Sequence, residues 1–293
     1  MEKLIADKQY KRLDVFLENN LDISRSKAKK MIDANLVYLN DTISKASTTV
    51  FENDEIKYEL LDESLNLDPV EMDLDIVYED DNLLVINKQN GLVVHPAASV
   101  KSPTLVNGLL YHFSSLSKDS SIRPGIVHRI DAHTTGLLVV AKDDKTHDHL
   151  AKQLEKKTAK RTYVALVHGV ILNDTGTIDA PIGRDLNDRK KMAVIANGKS
   201  AMTHFKVSER FSKATLIELN LETGRTHQIR VHMSYIGHPI VNDSVYSKRD
   251  LVNDSGQCLH AKKLGFIHPV KNEYMEFECE LPSKFNEILD VYR

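Results

Sequence analysis

Little in this chain can form a disulfide, cross a membrane or hold a metal. Of 293 residues only two are cysteine, Cys258 and Cys279. They lack CxxC spacing and read as small interior residues, as in a protein of a reducing compartment. No apolar run approaches the roughly 18 residues of a membrane span. The opening residues, Met1 to Lys8 (MEKLIADK), hold no apolar core long enough for a secretory signal. A soluble, cytoplasmic protein without a membrane partner is expected. Thirteen histidines are present, but the pairs His147/His149 and His227/His232 have neither the HExxH form nor a nearby cysteine pair. No metal site is expected from them. Internal repeats and low-complexity tracts are also missing.

What is present is a large apolar fraction, 41% of residues, enough for more than one core. The net charge of -3 conceals a segregation. Residues 1–58 carry ten bases and ten acids, residues 59–83 carry ten acids and no base, and the remaining 210 residues have a net charge of +7. The acidic stretch, with Pro69 inside it, reads as a linker over residues 59–73. The basic balance beyond it permits a polyanionic partner.

Upstream of the linker, Leu13, Phe16 and Leu17 have helical spacing. A second helix follows, capped by Ser24 or Ser26, with Ala28, Met31 and Ile32 as its apolar face. Arg25, Lys27, Lys29 and Lys30 fall away from that face as a basic stripe. Short alternating strands follow at 37–39 and 55–58. With RLDVFL, SRSKAKKMI, VYLND and ENDEI in this order, residues 10–58 resemble the S4 (αL-like) RNA-binding domain. The stripe is its expected RNA contact. Asn35 and Asn53 stand at turns where that family has glycine, and asparagine is the next best residue for a left-handed turn.

From residue 74 to 293 the pattern is α+β, a mixed and largely antiparallel sheet with flanking helices. Strands are expected near 75–78, 83–87, 92–95, 162–167, 203–210 and 215–221, and helices near 145–157 and 226–236. Thr223 or Thr226 would cap the second helix, placing His227, Arg230 and Ser234 on one face. Within GIVHRIDAHTTGLLVVAK (125–142), the carboxylate of Asp131 sits beside Arg129 at the mouth of an apolar strand. Burying an ionised carboxylate costs several kcal/mol unless it is paired. Asp131 is therefore either a structural ion-pair partner or a reacting group.

HRID, KRTYVALVHG, ETGRTHQIRVHM, GHPIVND and LHAKKLGFIHP resemble, in family order, the A/D family of ribosomal large-subunit pseudouridine synthases. APIGRD, RKKMAV and GKSAMTHF point to the subgroup that includes large-subunit pseudouridine synthase D. Departures are Ile130 for Leu, Gln89-Asn90 where Pro is common, and Asn242 for Gly. The resemblance implies Asp131 as the essential catalytic residue, Arg230 as its charge partner and Tyr163 as the aromatic residue under the target base. It implies Arg129 as the side chain that fills the gap left by the extruded base. His128, Thr135 and His227 join Arg129 as substrate-contacting candidates, the two histidines also reading as scaffold. The reaction breaks N1–C1′ and joins C5 to C1′ with no redox change and no net hydrolysis, so no cofactor is implied. The implied partner is structured RNA, 23S rRNA or a large-subunit precursor around helix 69, acted on by a monomer. A glycosidase using Asp131 with Glu222, or an RNA-binding protein without chemistry, are the competing readings.

Overall fold

The computed structural model describes the chain except residues 1, 22, 61–66, 98–99, 118–123, 189–190 and 250. Part of the acidic stretch, and Arg189 and Lys190 of the RKKMAV motif, lie outside the described residues. Contacts divide the chain into two compact units, Met1–Ser64 and Leu65–Arg293.

In the first unit the order is β1 (Glu2–Ile5), α1 (Leu13–Leu21), α2 (Arg25–Asp33), β2 (Val37–Leu39), β3 (Thr42–Ile43) and β4 (Glu55–Tyr58). The strands form an antiparallel sheet in the order β1-β4-β2-β3. Leu13, Phe16 and Leu17 of α1 and Ala28, Met31 and Ile32 of α2 share one buried cluster. The Ser24 hydroxyl caps α2 by accepting from the Lys27 N–H at 3.3 Å. Asn35 and Asn53 are both left-handed, with φ of 57° and 70°. Buried Asp14 accepts two hydrogen bonds from Arg12 and one from Arg25 Nε at 3.1 Å. The Arg12 hydrogen bonds hold its carboxyl below the usual range against the opposing effect of burial, with Arg25 adding to them. One member of the basic stripe therefore also closes α2 onto α1.

The second unit contains β5 (Ile76–Glu79), β6 (Leu83–Lys88), α3 (Leu105–His112), β7 (Thr135–Ala141), α4 (Asp144–Glu155), β8 (Lys160–His168) and β9 (Thr175–Asp179). It continues with β10 (Ile182–Arg184), β11 (Met192–Val194), β12 (Met202–Arg210), β13 (Ala214–Leu221) and α5 (Gln228–Tyr235). β14 (Leu259–Ile267), β15 (Tyr274–Glu278) and α6 (Ser283–Tyr292) complete it. Nine strands form one sheet, β5-β6-β7-β14-β8-β13-β12-β9, with β15 paired to β14. β7 and β14 run parallel and the other paired strands antiparallel. The sheet is mixed and largely antiparallel, as its pattern predicts.

The unbroken apolar run of β7 follows from burial on both faces. Leu138 and Val140 pack with Leu105 and Leu109 of α3, whereas Leu137 and Val139 pack with Leu150 of α4 and Phe266. Two expectations are corrected. Residues 92–95 are not a strand, because the Val93 and Val94 carbonyls accept from the N–H groups of Leu105 and Val106 at 2.8 and 3.1 Å. They satisfy the first turn of α3 instead of a ladder. Nor is α5 capped by a threonine: His227 occupies the cap with φ 56°, and Thr223 instead donates to Gln228 Oε1 at 2.7 Å.

Gly136 opens β7 with φ 106°, and a Cβ there would collide with the Ala261 carbonyl across the parallel pair. Gly237 has φ 87° and open space around it. Gly136→Ala is expected to destabilise the protein by more than about 3 kcal/mol, Gly237→Ala by only about 1 kcal/mol. Chemical denaturation of the two variants checks this, and equal losses would refute it.

Candidate active site

The turn before β7 carries His128, Arg129 and Asp131 into a cleft of about 340 Å³. Its other walls are Tyr163 from β8 and His227 and Arg230 at the start of α5. Three ties hold the turn. The Thr134 N–H donates to the Asp131 carbonyl at 3.0 Å, and the Gly91 N–H to the Ala132 carbonyl at 3.0 Å. Lys88, at the end of β6, donates to the carbonyls of Gln89, Leu92 and Ala132 at 2.8–2.9 Å. It is 1% exposed, and burial pulls its ammonium down to about 7 while the charge of Asp131 opposes the shift.

Arg230 Nη1 donates to Asp131 Oδ2 at 2.9 Å. The opposite edge of the same guanidinium grips Asp243, Nε to Oδ2 at 2.7 Å and Nη2 to Oδ1 at 2.9 Å. Asp243 is fully buried and its Oδ1 also accepts from the N–H groups of Val245 and Tyr246. Burial alone would raise the Asp243 pKa, but the Arg230 hydrogen bonds and charge hold it below the ordinary carboxylate range. For Arg230, burial works against the cation and is outweighed by Asp243 and then Asp131, which raise its pKa. One cation thus serves a buried carboxylate that fixes it and a part-exposed carboxylate that faces the cleft.

Tyr246 completes this shell. Its ring lies 5.0 Å from Arg230 Cζ, and its hydroxyl accepts from the Met192 N–H at 3.0 Å. The hydroxyl is 2.8 Å from His227 Nδ1. His227 Nε2 lies 3.9 Å from Asp131 Oδ1. Burial lowers the His227 pKa, against the opposing charge of Asp131.

Buried Tyr163 has its phenol raised by burial, an effect that Arg161 counters and Asp131 reinforces. His128 Nε2 accepts from the Val139 N–H at 3.1 Å; burial, then the charge of Arg161, lowers it to about 3. Exposed Arg129 lies 3.3 Å from His95 Nε2. Thr135 is not brought into the cleft: its hydroxyl pairs with His260 Nδ1 at 2.8 Å beside a separate pocket. In the other unit, Lys29 and Lys30 are exposed and Lys27 is half-buried.

The glycosidase pairing of Asp131 with Glu222 finds no geometry. Glu222 pairs with His204 at 2.9 Å and Lys157 at 3.0 Å and does not line the cleft. His232 is buried between Thr203 Oγ1 and the Ala180 carbonyl. Among the described residues no group of three or more His, Cys, Asp or Glu could hold a metal, and no helix is long and apolar enough to cross a membrane. Sequence reasoning missed Asp243, Tyr246, Lys88 and Arg161. The motif GHPIVND marked the first without a role, and Lys88 resembled any polar residue at a strand end.

This fold is that of a class with known members. The RNA pseudouridylate synthase family matches residues 82–235, and the S4 domain matches residues 11–56. The chain is 48% identical to the uncharacterized RNA pseudouridine synthase YlyB of Bacillus subtilis, over 98% of this chain and 96% of that protein. It is 43% identical to ribosomal large subunit pseudouridine synthase D of Neisseria meningitidis serogroup B, over 96% of this chain and 79% of that one. The solved structure of human RNA pseudouridylate synthase domain containing 1 matches with a TM-score of 0.58 and 25% identity, covering 75% of this chain and 95% of that one. The chain belongs to the RNA pseudouridylate synthase family and is an RNA pseudouridine synthase.

Asp243→Asn is expected to cost about 3 kcal/mol at neutral pH, since it strips a buried cation of a charged partner. Because the folded pKa of Asp243 is depressed, its contribution is present above the unfolded value of about 3.9 and is lost as pH falls through the folded value. The stability gap between wild type and variant should therefore narrow from about pH 6 to about pH 3, a range that brackets the unfolded value. Urea midpoints at the two pH values check it, and a constant gap would refute it.

Proposed function

We propose that this synthase isomerises uridine in large-subunit ribosomal RNA, in the helix 69 region, with Asp131 as its catalytic carboxylate. The observation that carries the chemical part is the 2.9 Å contact between Arg230 Nη1 and Asp131 Oδ2 at the floor of the cleft. Scission of N1–C1′ leaves positive character on C1′. A carboxylate can bond to that carbon or shield it, as in retaining glycosidases. The freed uracil turns on the face of Tyr163, C5 bonds to C1′, and the C5 proton departs. Stacking of this kind is worth about 1–3 kcal/mol per base. The glycosidic bond is unreachable inside a stacked helix, so the uridine must leave it, and exposed Arg129 fills the gap.

The RNA assignment draws on relatives named ribosomal large subunit pseudouridine synthase D, at 43% and 41% identity. Lys27, Lys29 and Lys30 contact phosphates from the S4 unit, joined by the open edge of Arg25. The enzyme works in the cytoplasm as a monomer, and its chemistry draws only on its own side chains.

Transcripts labelled with tritium at C5 of uridine should release it to water when C5 bonds to C1′. Release from 23S fragments spanning helix 69 is expected with the wild type and should fall by at least about 10⁴-fold in Asp131→Asn, the scale on which loss of a catalytic group acts. Release from tRNA alone would overturn the substrate, and an active Asp131→Asn would overturn the role of the carboxylate. Affinity should fall steeply with salt, and Lys29→Ala with Lys30→Ala should flatten that slope by about 1–2.

A further inference from the structure

Arg161 is the cleft's unexplained cation. It lies two residues before Tyr163 on β8, so the two side chains share a face of the strand. Both line the cleft with Asp131. Among the described residues no carboxylate, carbonyl or ring pairs with Arg161, and its Nε is buried without an acceptor. The other arginines of the cleft have partners: Arg230 has Asp131 and Asp243, Arg129 has His95, and Arg225 Nε donates to the Ser200 carbonyl at 3.0 Å. Glu155 shares the lining but forms no ion pair with Arg161. The guanidinium of this half-buried arginine thus keeps a charge that no side chain among the described residues neutralises, and an anion at its Nη groups would offset it.

The residue beside the Arg161 guanidinium is a glycine. Gly224 packs against the guanidinium so closely that a Cβ would lie 2.9 Å from Nη1. The glycine allows the fork to extend into the cleft between β8 and the segment carrying Arg225, whose own guanidinium is exposed at the rim. Planar forks of this type bind phosphate oxygens in pairs. We propose that Arg161, with Arg225 at the rim, forms a phosphate subsite that holds the backbone of the extruded uridine while its base lies on Tyr163. This rests on the cleft being the place where the uridine reacts. Arg161 would act in binding, leaving the bond-breaking step to Asp131.

The test uses tritium release from 5-tritiated RNA of cells lacking this chain, supplied free and as ribosomal subunits, so that the natural target is present. Wild type, Asp131→Asn, Arg161→Gln, Arg161→Lys and Gly224→Ala are compared across salt concentrations. Arg161→Gln is expected to raise the half-saturating RNA concentration by about 10- to 100-fold, the range for a charge-assisted hydrogen bond. Its rate at saturation should stay within about threefold of wild type, because the interaction is uniform between ground and transition states. The salt slope should flatten by about 0.7, one phosphate contact on a single strand. Arg161→Lys should keep the slope with a smaller loss of affinity, and Gly224→Ala should displace the fork and weaken binding even if Arg161→Gln fails to fold. Unchanged half-saturation in Arg161→Gln, or weaker binding with the wild-type slope, would overturn the subsite. Activity in Asp131→Asn would overturn the site reading beneath it, a result separable from the behaviour of Arg161.

Discussion

Arg230 holds two carboxylates at once, and the shape of the cleft follows from that sharing. Asp243, buried and bound at two guanidinium nitrogens, fixes the plane of the fork, and Nη1 then points at Asp131. A guanidinium suits this task because its donors are rigidly placed and it stays charged when buried. The same buried charge demands a closed shell. The ring of Tyr246 covers the cation, its hydroxyl ties the Met192 backbone to His227, and His227 faces the second oxygen of Asp131.

The sheet supplies the rigidity that this arrangement requires. β7, apolar on both faces, and the parallel pairing with β14 hold the end of the strand from which the Asp131 turn departs. Lys88 then ties the Ala132 carbonyl of that turn to the carbonyls of Gln89 and Leu92. A short polar turn would otherwise be free to move, and these ties hold the Asp131 carboxylate against Arg230. Packing, backbone hydrogen bonds and one buried ammonium thus converge on the same few residues.

Much of this was legible because period and local chemistry encode it. The helices of the S4 unit are readable from Leu13, Phe16 and Leu17 and from Ala28, Met31 and Ile32, all of which are buried. Asn35 and Asn53 take the left-handed turns that their residue type favours. Residues 92–95 read as a strand because two valines and a leucine imitate one, yet their carbonyls were needed to start α3. Thr135 read as part of the site because it stands four residues from Asp131, but entry into β7 turns its hydroxyl toward His260.

The sequence by itself determined the two-part organisation, the elements with strong periodicity and the polar islands that could carry chemistry. Each depends on near neighbours in the chain, where a period of 2 or 3.6 residues fixes which side chains share a face. Only the tertiary structure decided which islands meet. Asp131 and Arg230 stand 99 positions apart, and a hydrogen bond between them depends on sheet order and loop paths that no local pattern records. The same holds for Asp243 beneath Arg230, for Lys88 beneath the turn and for Arg161, whose buried Nε finds no acceptor among the described residues. Burial and pairing belong to the assembled cleft, where sheet order and loop paths decide which charges find partners.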